Sequence, residues 1–131
     1  MRDGILIIDS NQANTSRMCD VLGTVGYEIT VAKDGHEALQ CLNPERHGVM
    51  FVAQHLPDFG GIDLIRELRP IAPDCKVVLV TESHDLLLAY EAEAIGVKNW
   101  LYQPARPVEI LQSAFEALSG KSGRESRPQK A

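Results

Sequence analysis

The sequence lacks the cysteine spacing of a disulfide framework or of a thiolate metal site. Its three cysteines, Cys19, Cys41 and Cys75, are widely separated and form no C-x-x-C pair. It also lacks an apolar run long enough to span a bilayer, and its first residues do not have the pattern of a signal peptide. We therefore expect reduced thiols and a cytoplasmic protein.

Positive charge is scarce in most of the chain. Thirteen Lys and Arg stand against eighteen Asp and Glu, so the 131 residues carry a net charge of −5. From Ser119 onward there are four basic residues and one acidic residue, so this segment is +3 and residues 1–118 are −8. Because phosphate binding requires clustered Lys and Arg, the acidic body argues against nucleic-acid binding. We predict one domain over 1–118 and a basic, polar tail or linker over 119–131, which has too few apolar residues to fold.

What the sequence does contain is an alternation of apolar runs with segments of helical spacing. The predicted strands are Ile5–Ile8, Tyr27–Ala32, Val49–Ala53, Val77–Val80 and Val97–Tyr102. The predicted helices cover about 12–25, 35–42, 62–69, 87–95 and 107–118, with Ser10 as a cap for the first of them. This order predicts an α/β fold, with helices on both faces of a doubly wound parallel sheet.

Sheets of this kind carry their functional sites at the carboxyl ends of the strands. The predicted strand ends are Asp9–Ser10, Ala53–Gln54, Thr81–Glu82 and Gln103–Pro104. We expect these four segments to surround one crevice. An acid and hydroxyls lie among them, but no His is placed to act as a base, so we predict no catalytic residue.

The chain resembles the receiver (CheY-like) domain of response regulators across about residues 4–118. Five motifs in the expected order carry the resemblance: ILIIDS, GYEITVAKDGHEAL, LPDFGGIDLIREL, VVLVT and AIGVKNWLYQP. The resemblance implies a flavodoxin-like five-stranded sheet with strand order 2-1-3-4-5, and a cis-proline corner after the last strand. It also implies a role in two-component, phosphorelay signalling.

The residues that perform phosphorylation in receiver domains are altered in this chain. The resemblance implies two acidic residues after the first strand, a phospho-acceptor aspartate after the third and a lysine before the proline of the corner. The matching positions hold Asp9, Ser10, Ala53 and Gln103. The family's hydroxyl is retained at Thr81.

These substitutions agree with one another chemically. A methyl group has no nucleophilic oxygen, and Asp9 with Ser10 is a poor ligand set for magnesium. A buried lysine would have no partner once the acceptor carboxylate is lost, so the neutral Gln103 removes an unpaired charge. An engineered change could explain Ala53 alone, but it would not explain Ser10 and Gln103. We predict a phosphorylation-independent pseudo-receiver without metal or cofactor.

A run of leucines in the fourth predicted helix indicates a surface for a protein partner. A helix cannot direct Leu86, Leu87 and Leu88 into the core together, so at least one of them faces solvent or a partner. Tyr90, with Trp100 and Tyr102 of the last strand, extends this candidate surface. The resemblance places the family's rotating aromatic at Trp100. It also implies target binding or homodimer formation through the fourth helix, fifth strand and fifth helix.

Three alternatives stay open. The first is a working phospho-receiver with another acceptor, for which Asp58 is the candidate, although it reads better as a solvated turn residue. The second is a small-molecule sensor that uses the emptied crevice. The third is a truncated regulator whose output domain follows residue 131. His55 and His84 could also be proposed as zinc or nickel ligands, but their spacing is not a metal signature, and His36 and His47 are interpreted as surface residues.

Overall fold

Five parallel strands alternate with five helices between Asp3 and Ser119, the residues that the computed structural model describes. The elements are β1 (Gly4–Ile8), α1 (Gln12–Gly23), β2 (Ile29–Ala32), α2 (Gly35–Cys41), β3 (His47–Ala53), α3 (Gly61–Leu68), β4 (Lys76–Thr81), α4 (Leu86–Ala94), β5 (Asn99–Tyr102) and α5 (Pro107–Leu118). The strand order is β2-β1-β3-β4-β5, which confirms the predicted fold. Beyond Ser119, the predicted tail lies outside the described residues. None of the helices within 3–119 has the length and hydropathy of a transmembrane segment.

The sheet is buried on both faces, as its continuous apolar strands predict. Successive side chains of a strand point to opposite faces of the sheet. In β1, Ile5 and Ile7 accordingly pack into one core with α1 and α5. Leu6 and Ile8 pack into a second core with α2, α3 and α4. The helices therefore form the two outer layers of a three-layer fold.

The third strand begins earlier than predicted, and it places a histidine in the interior. His47 is only 2% exposed, so its interpretation as a surface residue is wrong. Its Nδ1 accepts the Asn43 N–H at 3.0 Å, and its Nε2 lies 3.1 Å from the Thr30 hydroxyl on β2. With Nδ1 acting as an acceptor, the proton of the neutral ring is on Nε2. Burial, reinforced by Arg46, lowers the pKa of His47.

The first helix begins with Asn11 as its N-cap, so the prediction of Ser10 in this role is wrong. The Asn11 side-chain oxygen accepts the Asn14 N–H at 3.1 Å. The reason lies one residue before Ser10, where the Asp9 carboxylate accepts the Asn11 N–H at 2.9 Å. This bond makes Asp9–Asn11 a turn, and the helix starts only after it.

Candidate functional site

The carboxyl ends of four adjacent strands bring the predicted site residues together. Asp9 follows β1, Ala53 ends β3, Thr81 ends β4 and Gln103 follows β5. These strands are neighbours in the sheet, with Ala53 paired to Val80. The four strand ends therefore lie side by side at the carboxyl edge of the sheet, in the region that we name the crevice.

Asp9 is the charged residue of this set. Only 8% of its surface is exposed, and its carboxylate accepts the Asn11 N–H. Burial raises the pKa of Asp9, while hydrogen bonds from the Asn11 backbone and the Asn14 side chain act in the opposite direction. Ser10 is exposed. The Asp9 carboxyl group thus fixes the turn that precedes α1 by accepting a backbone N–H.

Ala53 is covered by the start of the third helix. Its side chain is 7% exposed. A Cβ atom added to Gly61 would lie 2.5 Å from the Ala53 carbonyl oxygen, and the Gly61 N–H donates to the Gln54 carbonyl at 2.7 Å. The glycine at position 61 therefore permits the close approach of α3 to the end of β3.

Gln54 has a role in the crevice that the sequence analysis missed. Its side-chain oxygen accepts a hydrogen bond from the Thr81 hydroxyl. Thr81 is 4% exposed, and its oxygen also accepts the Ser83 N–H at 2.9 Å. The sequence offered one signal for this contact, an amide-bearing residue directly after the apolar run that ends at Ala53.

Gln103 is engaged by the loop that follows it. Its side-chain oxygen accepts the Ala105 N–H at 2.9 Å, and its own N–H donates to the Thr81 carbonyl at 2.9 Å. The Gln103–Pro104 peptide bond is cis, as the resemblance implies. The Gln103 carboxamide thus stabilises the turn into α5.

Four large side chains of α4 and β5 form an exposed apolar surface, which we name the α4–β5 surface. Its members and their exposed fractions are Leu86 83%, Leu87 61%, Tyr90 73% and Tyr102 40%. Leu88, between them in sequence, is buried at 7%.

An aromatic stack borders the α4–β5 surface. Tyr102 stacks on His84 with ring centroids 4.3 Å apart and on Trp100 with centroids 5.9 Å apart. Trp100 is half-buried and packs against the core on the α2, α3 and α4 side. It therefore links the exposed surface to the interior.

Asp58 has a structural role, and the interpretation as a solvated turn residue is incomplete. Its carboxylate accepts the N–H groups of Gly35 at 2.9 Å and His36 at 3.0 Å, at the start of α2. The exposed ring of His36 lies 2.5 Å from the same carboxylate. A carboxylate oxygen of Asp34 lies within 4.8 Å of the His36 and Asp58 atoms, so the three side chains have the spacing of possible metal ligands. The Asp34 side chain, however, already accepts the Glu37 N–H. Hydrogen bonding thus explains this cluster.

Comparisons with known proteins identify the family of this chain. The sequence model described as "Response regulator receiver domain" matches residues 5–115. Chemotaxis protein CheY of Thermotoga maritima is 24% identical over 110 residues, which are 83% of this chain and 92% of that protein. Transcriptional activator protein ExaE of Pseudomonas putida is 29% identical over 119 residues, 89% of this chain but only 56% of that protein.

The solved structures agree with the sequence comparison. The signal receiver domain of an HD domain-containing protein from Pseudomonas fluorescens is 28% identical with a TM-score of 0.83, covering 96% of this chain and 93% of that one. Receiver domains are signalling modules of two-component systems. From the matched residues 5–115 and the observed fold, we conclude that the chain belongs to the response regulator receiver domain family.

Proposed function

We propose that this receiver domain signals without phosphorylation, by binding a protein partner through the α4–β5 surface. The observation that carries the proposal is the composition of the crevice, in which Ala53 stands at the position that the resemblance assigns to the phospho-acceptor. Around it, Thr81 bonds Gln54 and Gln103 bonds the backbone of Ala105. The Ala53 methyl group has no oxygen that could accept a phosphoryl group.

The side chains of the crevice do not fit the magnesium ion that the family implies. A hard divalent cation needs several oxygen ligands, usually including more than one carboxylate. Here Asp9 supplies one carboxylate, and one of its oxygens already accepts the Asn11 N–H. Ala53 offers no side-chain oxygen, and Ser10 is exposed. We therefore derive no step that uses this ion.

The rival acceptor, Asp58, is committed to the fold. Its carboxylate receives two backbone N–H groups from Gly35 and His36. Modification of this carboxylate would remove acceptors that the start of α2 uses. These contacts favour Asp58 as a structural residue over Asp58 as a phosphorylation site.

The partner is expected to combine apolar and basic groups. Large exposed side chains on one helix and its neighbouring strand are typical of protein interaction sites. Helix α4 also contains Glu91 and Glu93 and has no basic residue. Two copies packed helix to helix would bring these acids together, so a different protein with basic groups fits the surface better than a second copy of this chain. Sedimentation velocity across a concentration series tests the homodimer directly.

Intact mass spectrometry after incubation with acetyl phosphate and magnesium tests the central claim. We expect the mass of the native protein to stay unchanged. The variant S10D/A53D/Q103K restores the groups that the family implies and serves as a positive control. A stable phosphoryl adduct on the native protein would refute the proposal, and its loss in Asp58→Asn would identify the alternative acceptor.

A further inference from the structure

A continuous series of four hydrogen bonds leads from the crevice to the start of the fourth helix. The Thr81 hydroxyl donates to the Gln54 side chain and accepts the Ser83 N–H at 2.9 Å. The Ser83 hydroxyl accepts the Asp85 N–H at 3.0 Å. The Asp85 carboxylate then accepts the Leu87 N–H at 3.0 Å, as the N-cap of α4. Each bond begins on the residue where the preceding one ends.

We propose that Gln54 is a positioning residue that fixes the β4–α4 loop and the start of α4 through this series. The α4–β5 surface would then be held in one arrangement by an internal amide, with no phosphate required. This inference rests on the proposed function and deepens it, because it names the residue that sets the state of the binding surface.

The geometry of a hydroxyl group supports this role. A hydroxyl has one proton to donate, and its direction is set by the acceptor that it finds. When the Thr81 hydroxyl proton points at the Gln54 side-chain oxygen, a lone pair of the Thr81 oxygen is directed at the Ser83 N–H. Because Thr81 is 4% exposed, removal of the Gln54 amide would leave the Thr81 hydroxyl without this acceptor in a site that water barely reaches.

The backbone of Gln54 is itself held in place. Its N–H donates to the Val80 carbonyl at 2.9 Å, and its carbonyl accepts the Gly61 N–H at 2.7 Å. The side chain therefore extends from a fixed point between β4 and α3. This anchoring lets one amide control the direction of the Thr81 hydroxyl.

Amide hydrogen exchange, measured by NMR, tests the series bond by bond. The amides of Ser83, Asp85 and Leu87 are its donors, so each reports on one link. In Gln54→Met, which keeps length but removes the acceptor, we expect exchange at these amides to rise about fivefold, the effect of losing one typical hydrogen bond. Gln54→Glu keeps an oxygen acceptor and should retain the protection.

Gln103→Met is the matched control, since it removes the other amide of the crevice. It should accelerate exchange at Ala105, whose N–H it releases, and leave the Ser83 amide unchanged. Unaltered exchange at Ser83 in Gln54→Met would overturn the inference, and so would equal acceleration in Gln54→Met and Gln54→Glu.

A second pair of variants covers the case in which Gln54→Met does not fold. Thr81→Ser keeps the hydroxyl and should protect the Ser83 amide, whereas Thr81→Val should not; protection in Thr81→Val would contradict the series. None of these measurements uses a phosphodonor or a partner. A negative result here therefore leaves the proposed function standing, while phosphorylation of the native protein would refute that function without changing the exchange data.

Discussion

The three consecutive leucines of α4 provide a matched test of how this helix divides between core and surface. Leu88 is 7% exposed, whereas Leu86 is 83% and Leu87 is 61% exposed. Each residue of a helix is rotated by about 100° from the one before it, so the core receives only one of the three. The same substitution at the three positions isolates the effect of burial.

The expected losses of unfolding free energy differ several-fold between the buried and the exposed leucines. Leu88→Ala removes a side chain packed with Ala92 and Val97 in the core, and it should lower the free energy of unfolding by about 2–3 kcal/mol. Leu86→Ala and Leu87→Ala remove side chains that largely face water, so each should change the free energy of unfolding by less than about 0.5 kcal/mol. Helix propensity favours Ala slightly at all three positions and does not distinguish them.

Urea denaturation monitored by circular dichroism measures these differences, provided that the slope of free energy against urea is equal among the variants. A loss in Leu86→Ala as large as that in Leu88→Ala would show that the helix is rotated from the described orientation. The exposed leucines would then belong to the core, and the α4–β5 surface would not exist.

Three further predictions concern buried or close-packed positions. Because the pKa of His47 is lowered, the unfolded chain takes up a proton before the folded protein does as the pH falls below about 6.5. Urea denaturation should therefore show stability falling from pH 7.5 to 5.5 in the native protein, and less so in His47→Gln. Because burial raises the pKa of Asp9, Asp9→Asn should raise the unfolding free energy at pH 7. This gain should disappear below about pH 4, where the carboxyl group is protonated in both states. A lower unfolding free energy for Asp9→Asn at pH 7 would contradict the prediction. Gly61→Ala should lower the melting temperature by an amount that corresponds to a loss of about 1–3 kcal/mol in the free energy of unfolding, because its Cβ would lie 2.5 Å from the Ala53 oxygen. Gly60→Ala should leave the melting temperature nearly unchanged.

The fold could be predicted because its signals are local. Strands buried on both faces appear as continuous apolar runs, and Ile5–Ile8 and Val49–Ala53 both lie within observed strands. Pro107 marks the first residue of α5, as its position in the sequence indicates. The boundaries that differ, such as β3 starting at His47, involve polar residues that an apolar pattern does not include.

The missed roles depend on residues that are distant in the sequence. The hydrogen-bonded residues are 17 positions apart in the sequence for His47 and Thr30, 23 for Asp58 and Gly35, and 27 for Gln54 and Thr81. A hydrogen bond between such residues has no periodic signature, since it depends on how separate βα units pack. The crevice was predicted from strand ends, but the partners within it could be identified only from the structure.

The neutral residues of the crevice are consistent with the proposed function once Gln54 is included. With a methyl group at position 53, a lysine at position 103 would lack the carboxylate partner that the resemblance implies, and an unpaired cation is destabilising where it is removed from water. Gln103 instead completes a backbone turn, and Gln54 gives the Thr81 hydroxyl an acceptor within the protein. Side-chain amides thus bond the Thr81 hydroxyl and the Ala105 N–H, while the Asp9 carboxyl group accepts the Asn11 N–H before α1. Because Thr81 and Gln103 already have hydrogen-bond partners within the protein, the proposed function lets the state of the crevice follow from the fold and from partner binding.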